Sequence, residues 1–298
     1  MYSYHAFGLN FTSEIPLSEC LESTSERIDF KVRIAKLTPP TLRKTTIHRR
    51  GIMAWTAFEE ALWLHWEGVA TFKATEGQLL EVHPYTDDAD LLSLFTVSEA
   101  LGLILFQKRL FLLHASALMV GQEAWIFAGE PGAGKSTTCA AFVKVGCPLL
   151  SDDLTAIYFD EGHKPYVLPA YPQLKIWEKS VHGLGFRQGD LTAVSEGVNK
   201  FALTPRENFP KKPVPLRRIY LLNKENDASL PRKLKASELT VETLKHFPMP
   251  NQFLDAQTLK QYFQQSLYCA QNVDTYAINR FTNFQTLDSW VKQSLAPL

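Results

Sequence analysis

The residues with the clearest chemical potential are Gly129-Glu130-Pro131-Gly132-Ala133-Gly134-Lys135-Ser136, which match the phosphate-binding pattern G-x-x-x-x-G-K-[ST]. Glycines at 129, 132 and 134 allow positive φ, so that successive backbone N–H groups can wrap a polyphosphate. Lys135 supplies a point charge to the β/γ-phosphates. Ser136, followed by Thr137, places a hydroxyl at the positive end of a helix, where it can ligate Mg²⁺. Sixteen residues after Ser136, the apolar run Pro148-Leu149-Leu150-Ser151 ends in two adjacent carboxylates, Asp152 and Asp153. Neighbouring residues on a strand point to opposite faces, so the pair is expected to divide two tasks, holding the metal and accepting a hydroxyl proton.

Three elements must position these groups. Ala124 to Ala128 reads as a strand leading into the loop, Thr137 to Lys144 as the helix leaving it, and Pro148 to Ser151 as the strand carrying the acids. Upstream, Phe111 to Val120 reads as a strand on which His114 alternates with Ser116 and Leu118. A helix is predicted over Ala89 to Lys108, with acids at 87, 88 and 90 complementing its N-terminus.

Four segments together resemble the HPr serine kinase/phosphorylases and their shorter relatives encoded with peptide-modification genes. They are His114-Ala115-Ser116-Ala117, the loop GEPGAGKS, Ser151-Asp152-Asp153, and Tyr171-Pro172-Gln173-Leu174-Lys175-Ile176-Trp177. The last is similar to a box of the lasso-peptide precursor kinases, as are the openings Ala6-Phe7-Gly8-Leu9 and Ser13 to Leu17. The resemblance implies an α/β protein with a phosphoenolpyruvate-carboxykinase-like P-loop core that uses ATP and Mg²⁺. It further implies that Asp152 is the base, that His114 contacts and tunes it, and that Asp153 is a metal ligand with Ser136. Apart from the resemblance, Lys175 reads either as a cation that stabilises the transferred phosphoryl group or as a surface lysine on a strand whose aromatic neighbours pack inward. The glutamate and arginine-glycine signature of the bifunctional enzymes is absent, which implies a kinase without phosphorolysis and leaves one Mg²⁺ ligand unassigned. The implied acceptor is a serine of a peptide or small protein, and the family's oligomers suggest a homo-oligomer. A kinase of a free small-molecule hydroxyl and a nucleotide-sensing module without transfer fit the same loop.

The remaining chain sets limits. With 298 residues, 45% hydrophobic and 21% charged, it has the composition of a globular protein of about two domains. These are expected to be a β-rich region over 1–90 and the nucleotide domain over 91–298. Zero formal net charge gives no bulk attraction to nucleic acid or an anionic membrane. Cysteines at 20, 139, 147 and 269 form neither a disulfide framework nor a C-x-x-C site. The N-terminus lacks a signal-peptide pattern and the apolar window 101–120 is broken by charges, so a cytoplasmic protein with no membrane span is expected. Residues 182–215, rich in Gly, Pro and basic side chains, read as a mobile surface segment in which Lys200 and Arg206 are candidate phosphate contacts.

Overall fold

The structure is a computed structural model that describes residues 1–49, 52–58, 60–187, 189, 191–194, 199–225 and 231–296. The chain is a mixed α/β protein and divides into two compact units. One comprises Met1–Leu112 with Pro248–Lys260, the other Leu113–Phe247 with Gln261–Leu298.

Among the described residues, the first unit is built on one nine-stranded sheet. Some of its strands alternate between more and less buried side chains, as at Leu79–Pro84, and the buried side chains include Phe11, Phe30 and Phe72. The expected helix forms over Ala89–Phe95 and Leu101–Gln107, joined by a π-helical turn at Thr96–Ala100. Asp88 caps its start by accepting from the Leu91 N–H at 2.9 Å. Phe95 packs edge-on against Trp66 with ring centroids 5.2 Å apart, and Gln107 Nε2 donates to the Ala74 carbonyl. These contacts tie the helix to the sheet, so this unit runs to Leu112 rather than ending at the expected residue 90. The helix is long and apolar enough to cross a membrane by length and composition, but 72% of its most apolar 18-residue stretch is buried inside the protein, as in a core helix.

In the second unit, the strand Glu123–Gly129 lies between Ala115–Val120, to which it is antiparallel, and Val214–Asn223, to which it is parallel. Leu149–Ser151 pairs antiparallel with the other side of Ala115–Val120, and Asp274–Asn279 runs parallel to Val214–Asn223. Because Ala115–Val120 opposes both neighbours, Glu123–Gly129 and Leu149–Ser151 run in the same direction. Their C-terminal ends therefore emerge together, beside the start of the strand between them. That edge is where open α/β sheets present ligand sites. The helix Lys135–Lys144 follows, with Phe142 buried among Trp125, Phe127 and Trp290.

The segment expected to be a mobile surface stretch contains ordered structure. Lys200–Leu203 pairs antiparallel with Leu174–Trp177, and Thr192–Ala193 extends this small sheet. Its apolar run, Phe201 to Leu203, is only three residues long and lies between Lys200 and Arg206, which conceals it in the sequence. Positions 188, 190 and 195–198 of that segment lie outside the described residues.

Candidate active site

The phosphate loop bridges strand and helix as its glycines require. Gly129 has φ +156°, and a Cβ there would lie 2.6 Å from the Leu222 carbonyl oxygen, so the neighbouring strand admits no side chain. Gly134 has φ +100° and ends the loop at Lys135, the first residue of the helix. Lys135 is buried, and its Nζ donates to the carbonyls of Gly129 at 2.8 Å and Glu130 at 3.3 Å, spanning the loop. Burial pushes its ammonium pKa below the usual value, against the pull of Asp153 and Asp152. Glu130 is exposed and pairs with Lys224 at 2.9 Å.

Asp152 is only 3% exposed, and both of its carboxylate oxygens accept hydrogen bonds. Its Oδ1 accepts from Ser136 Oγ at 2.9 Å and Ser116 Oγ at 2.6 Å, while Oδ2 accepts from the Lys175 backbone N–H at 2.9 Å. Desolvation, reinforced by the Asp153 charge, raises its pKa, and Lys175 and Ser116 oppose the shift.

Asp153 occupies a different setting. It has φ +64° and lies at the centre of a three-residue turn closed by the Leu154 N–H donating to the Asp152 carbonyl at 2.8 Å. A positive φ at a side-chain-bearing residue costs about 1–3 kcal/mol, and such strain concentrates at functional sites. The turn ends the regular alternation of the strand, so the two carboxylates are not separated onto opposite faces. Both reach Lys175: Asp152 through its backbone N–H and Asp153 through its ammonium, with Nζ 2.6 Å from Asp153 Oδ2. Lys175 is 4% exposed, whereas the Asp153 side chain is 30% exposed.

His114 does not make the expected contact with the Asp152 carboxylate. It sits at a bend between Phe111–Leu113 and Ala115–Val120, and its Nδ1 bonds the Asp153 backbone carbonyl at 2.9 Å. A carbonyl only accepts, so Nδ1 carries the proton and the ring supports the strained turn. The His114 N–H in turn donates to the His246 carbonyl at 2.7 Å.

Burial, aided by the Lys135 charge, lowers the His114 pKa to about 4 from 6.5. Between these values the unfolded chain binds a proton that the folded chain does not, so folding stability rises with pH. The stabilisation is complete above pH 6.5 and is lost as pH falls toward 4, by about 3 kcal/mol at the low end. His114→Asn retains a donor for the Asp153 carbonyl without a titrating ring. It is expected to flatten the decline of the urea midpoint between pH 7 and 5, and an unchanged decline would contradict the assignment.

Of the other residues singled out by sequence, Thr137 Oγ1 bonds Ser180 Oγ at 2.8 Å, and Pro131 and Ala133 lie in the loop with the Ala133 N–H donating to the Glu130 carbonyl. Lys200 Nζ lies 4.8 Å from the centre of the Trp177 ring, and Arg206 is exposed in a turn. Sequence reasoning gave no role to Ser116, although its alternation with His114 was a signal. It also gave none to Ser180, Arg280 or the loop after Asn279, where no motif marks a function.

Among the described residues, no group of three or more His, Cys, Asp or Glu side chains could hold a metal ion. The donors beside the loop are instead a hydroxyl and a carboxylate, 2.9 Å apart. Such an all-oxygen pair suits Mg²⁺, which usually takes one or two protein ligands together with phosphate oxygens.

No protein-family model matches the chain, and no curated protein matches it. Among solved structures, it is similar to the HPr(Ser) kinase/phosphatase from Coxiella burnetii at 14% identity, over 61% of this chain and 95% of that chain, with a TM-score of 0.31. A likeness this loose carries no argument about activity.

Proposed function

We propose that the chain is a Mg²⁺-dependent kinase that transfers the γ-phosphoryl group of ATP, or of another nucleoside triphosphate, to a serine hydroxyl of a peptide or small protein. The observation that carries this reading is the meeting of Ser136, Asp152, Asp153 and Lys175 at the open end of the phosphate loop. The finer architecture we propose is a phosphoenolpyruvate-carboxykinase-like P-loop core.

The two carboxylates exchange the roles implied by the family resemblance. Asp152 already bonds Ser136, and its buried oxygens are committed to fixed donors, so we assign it with Ser136 to the metal. Asp153 is the more accessible acid, and we assign it to the acceptor. Bound Mg²⁺ would neutralise charge on the β- and γ-phosphate oxygens. Asp153 would take the serine proton as that oxygen bonds to the γ-phosphorus and the bond to the bridging oxygen breaks, releasing ADP. Lys175 would balance the charge developing on the moving group, and Lys135 would hold the polyphosphate. His114, neutral at pH 7, would keep the Asp153 turn in place rather than exchange protons.

An acceptor peptide requires a groove or sheet edge to lie along, which is more than a closed metabolite pocket offers. The lasso-precursor resemblance favours a peptide whose serine lies near its C-terminus. Mass spectrometry of candidate peptides after incubation with Mg·ATP tests the acceptor. Phosphoserine is the expected product, and faster modification of free serine than of any peptide would overturn it.

A further inference from the structure

A cavity of about 680 Å³ opens beside the phosphate loop. Gly132, Gly134, Thr137 and Thr138 line it, whereas Asp152, Asp153, Lys175 and His114 do not line it among the described residues. Successive helical side chains are about 100° apart. Ser136 faces Asp152, so Thr137 and Thr138 turn toward other directions. A polyphosphate held by this loop has one end at the acids, and its other end must leave elsewhere.

We propose that the cavity binds the nucleoside end of the triphosphate, with its aromatic side chains packing against the base. This rests on the kinase reading above and adds a subsite to it. The walls suit a flat ring carrying a polar sugar: Trp177, Phe281 and Phe284 supply apolar surface, and Arg280 and Thr282 supply polar groups. The two phenylalanine rings are held by packing. Phe284 lies so close over Gly183 that a Cβ there would come within 2.0 Å of the ring, and Phe281 packs on Trp290 at 5.1 Å between centroids. The Arg280 stem passes 3.7 Å from where a Gly134 Cβ would be, which puts a cation at the junction of loop and cavity. The volume falls within the range of ligand pockets, about 300–1,000 Å³. A peptide acceptor fits this place poorly, since its hydroxyl must reach Asp153.

Calorimetry with Mg·ATP and with Mg·tripolyphosphate tests the subsite. The full chain is expected to bind ATP about tenfold or more tighter than tripolyphosphate. Trp177 is 51% exposed, so Trp177→Ala should fold normally. It should lose about tenfold in ATP affinity, the scale of one stacking contact, while tripolyphosphate binding stays within about twofold. Photolabelling of the unmodified chain with 8-azido-ATP needs no variant, and should mark residues 177–180 or 280–284. Equal loss of both ligands in Trp177→Ala, or label confined to other segments, would overturn the subsite. Tripolyphosphate binding as tightly as ATP would also overturn it while leaving the loop assignment intact. Binding of neither ligand would remove the kinase reading and the subsite with it.

Discussion

Asp153→Asn is expected to lower single-turnover phosphoryl transfer by about 10²-fold or more while leaving Mg·ATP affinity nearly unchanged. The substitution keeps the size of the side chain at a residue with φ +64°, and asparagine tolerates that conformation as well as aspartate does. What it removes is the carboxylate that would accept the hydroxyl proton. Asp152→Asn should fail differently. Its oxygens meet Ser136, Ser116 and the Lys175 N–H, so an amide there disturbs the group proposed to hold the metal and should raise the Mg²⁺ concentration needed for half-maximal rate. Calorimetric binding beside rapid-quench rates separates the two outcomes. A metal defect in Asp153→Asn together with a purely kinetic defect in Asp152→Asn would restore the roles first implied by the family resemblance.

Lys135→Ala is expected to cost at least about 10²-fold in transfer, together with a loss of triphosphate affinity. The lysine is buried at the start of its helix and already bonds two loop carbonyls, so its charge is fixed in place rather than supplied by a flexible surface side chain. Ser136→Ala should instead weaken the dependence on Mg²⁺ and leave metal-independent triphosphate binding largely intact. Undiminished turnover in Lys135→Ala would contradict the loop assignment, and circular dichroism of the variant would show whether the fold is kept.

The parts of this site that lie close together in sequence were legible from it. The loop glycines, Lys135 and Ser136 form one contiguous pattern, and each has a separate physical requirement. The strand before the loop followed from its short apolar run, and the helix after it from the context that the loop pattern requires. The common approach of Asp152 and Asp153 to Lys175 was not legible, because strand alternation predicts opposite faces. The turn at Asp153 cancels that alternation, and no residue type announces it. The partner of His114 was missed for a related reason. A bend separates it from the following strand, so its ring bonds the backbone of the turn rather than a carboxylate. The cavity could not be anticipated, since it joins the end of the small sheet at Trp177 to a loop a hundred residues later, at Arg280–Phe284. The length of the first unit was misjudged because periodicity shows a helix over 89–108 but not which sheet it packs on.

The most direct test of the central claim is a joint measurement of ADP and phosphoserine. The full chain would be incubated with Mg·ATP and synthetic peptides carrying one serine each, beside free serine and buffer alone. The expected result is ADP and phosphoserine formed in equal amounts with a peptide, little ADP without one, and neither with Asp153→Asn. ADP released at the same rate with and without any acceptor, and no phosphorylated product, would contradict it.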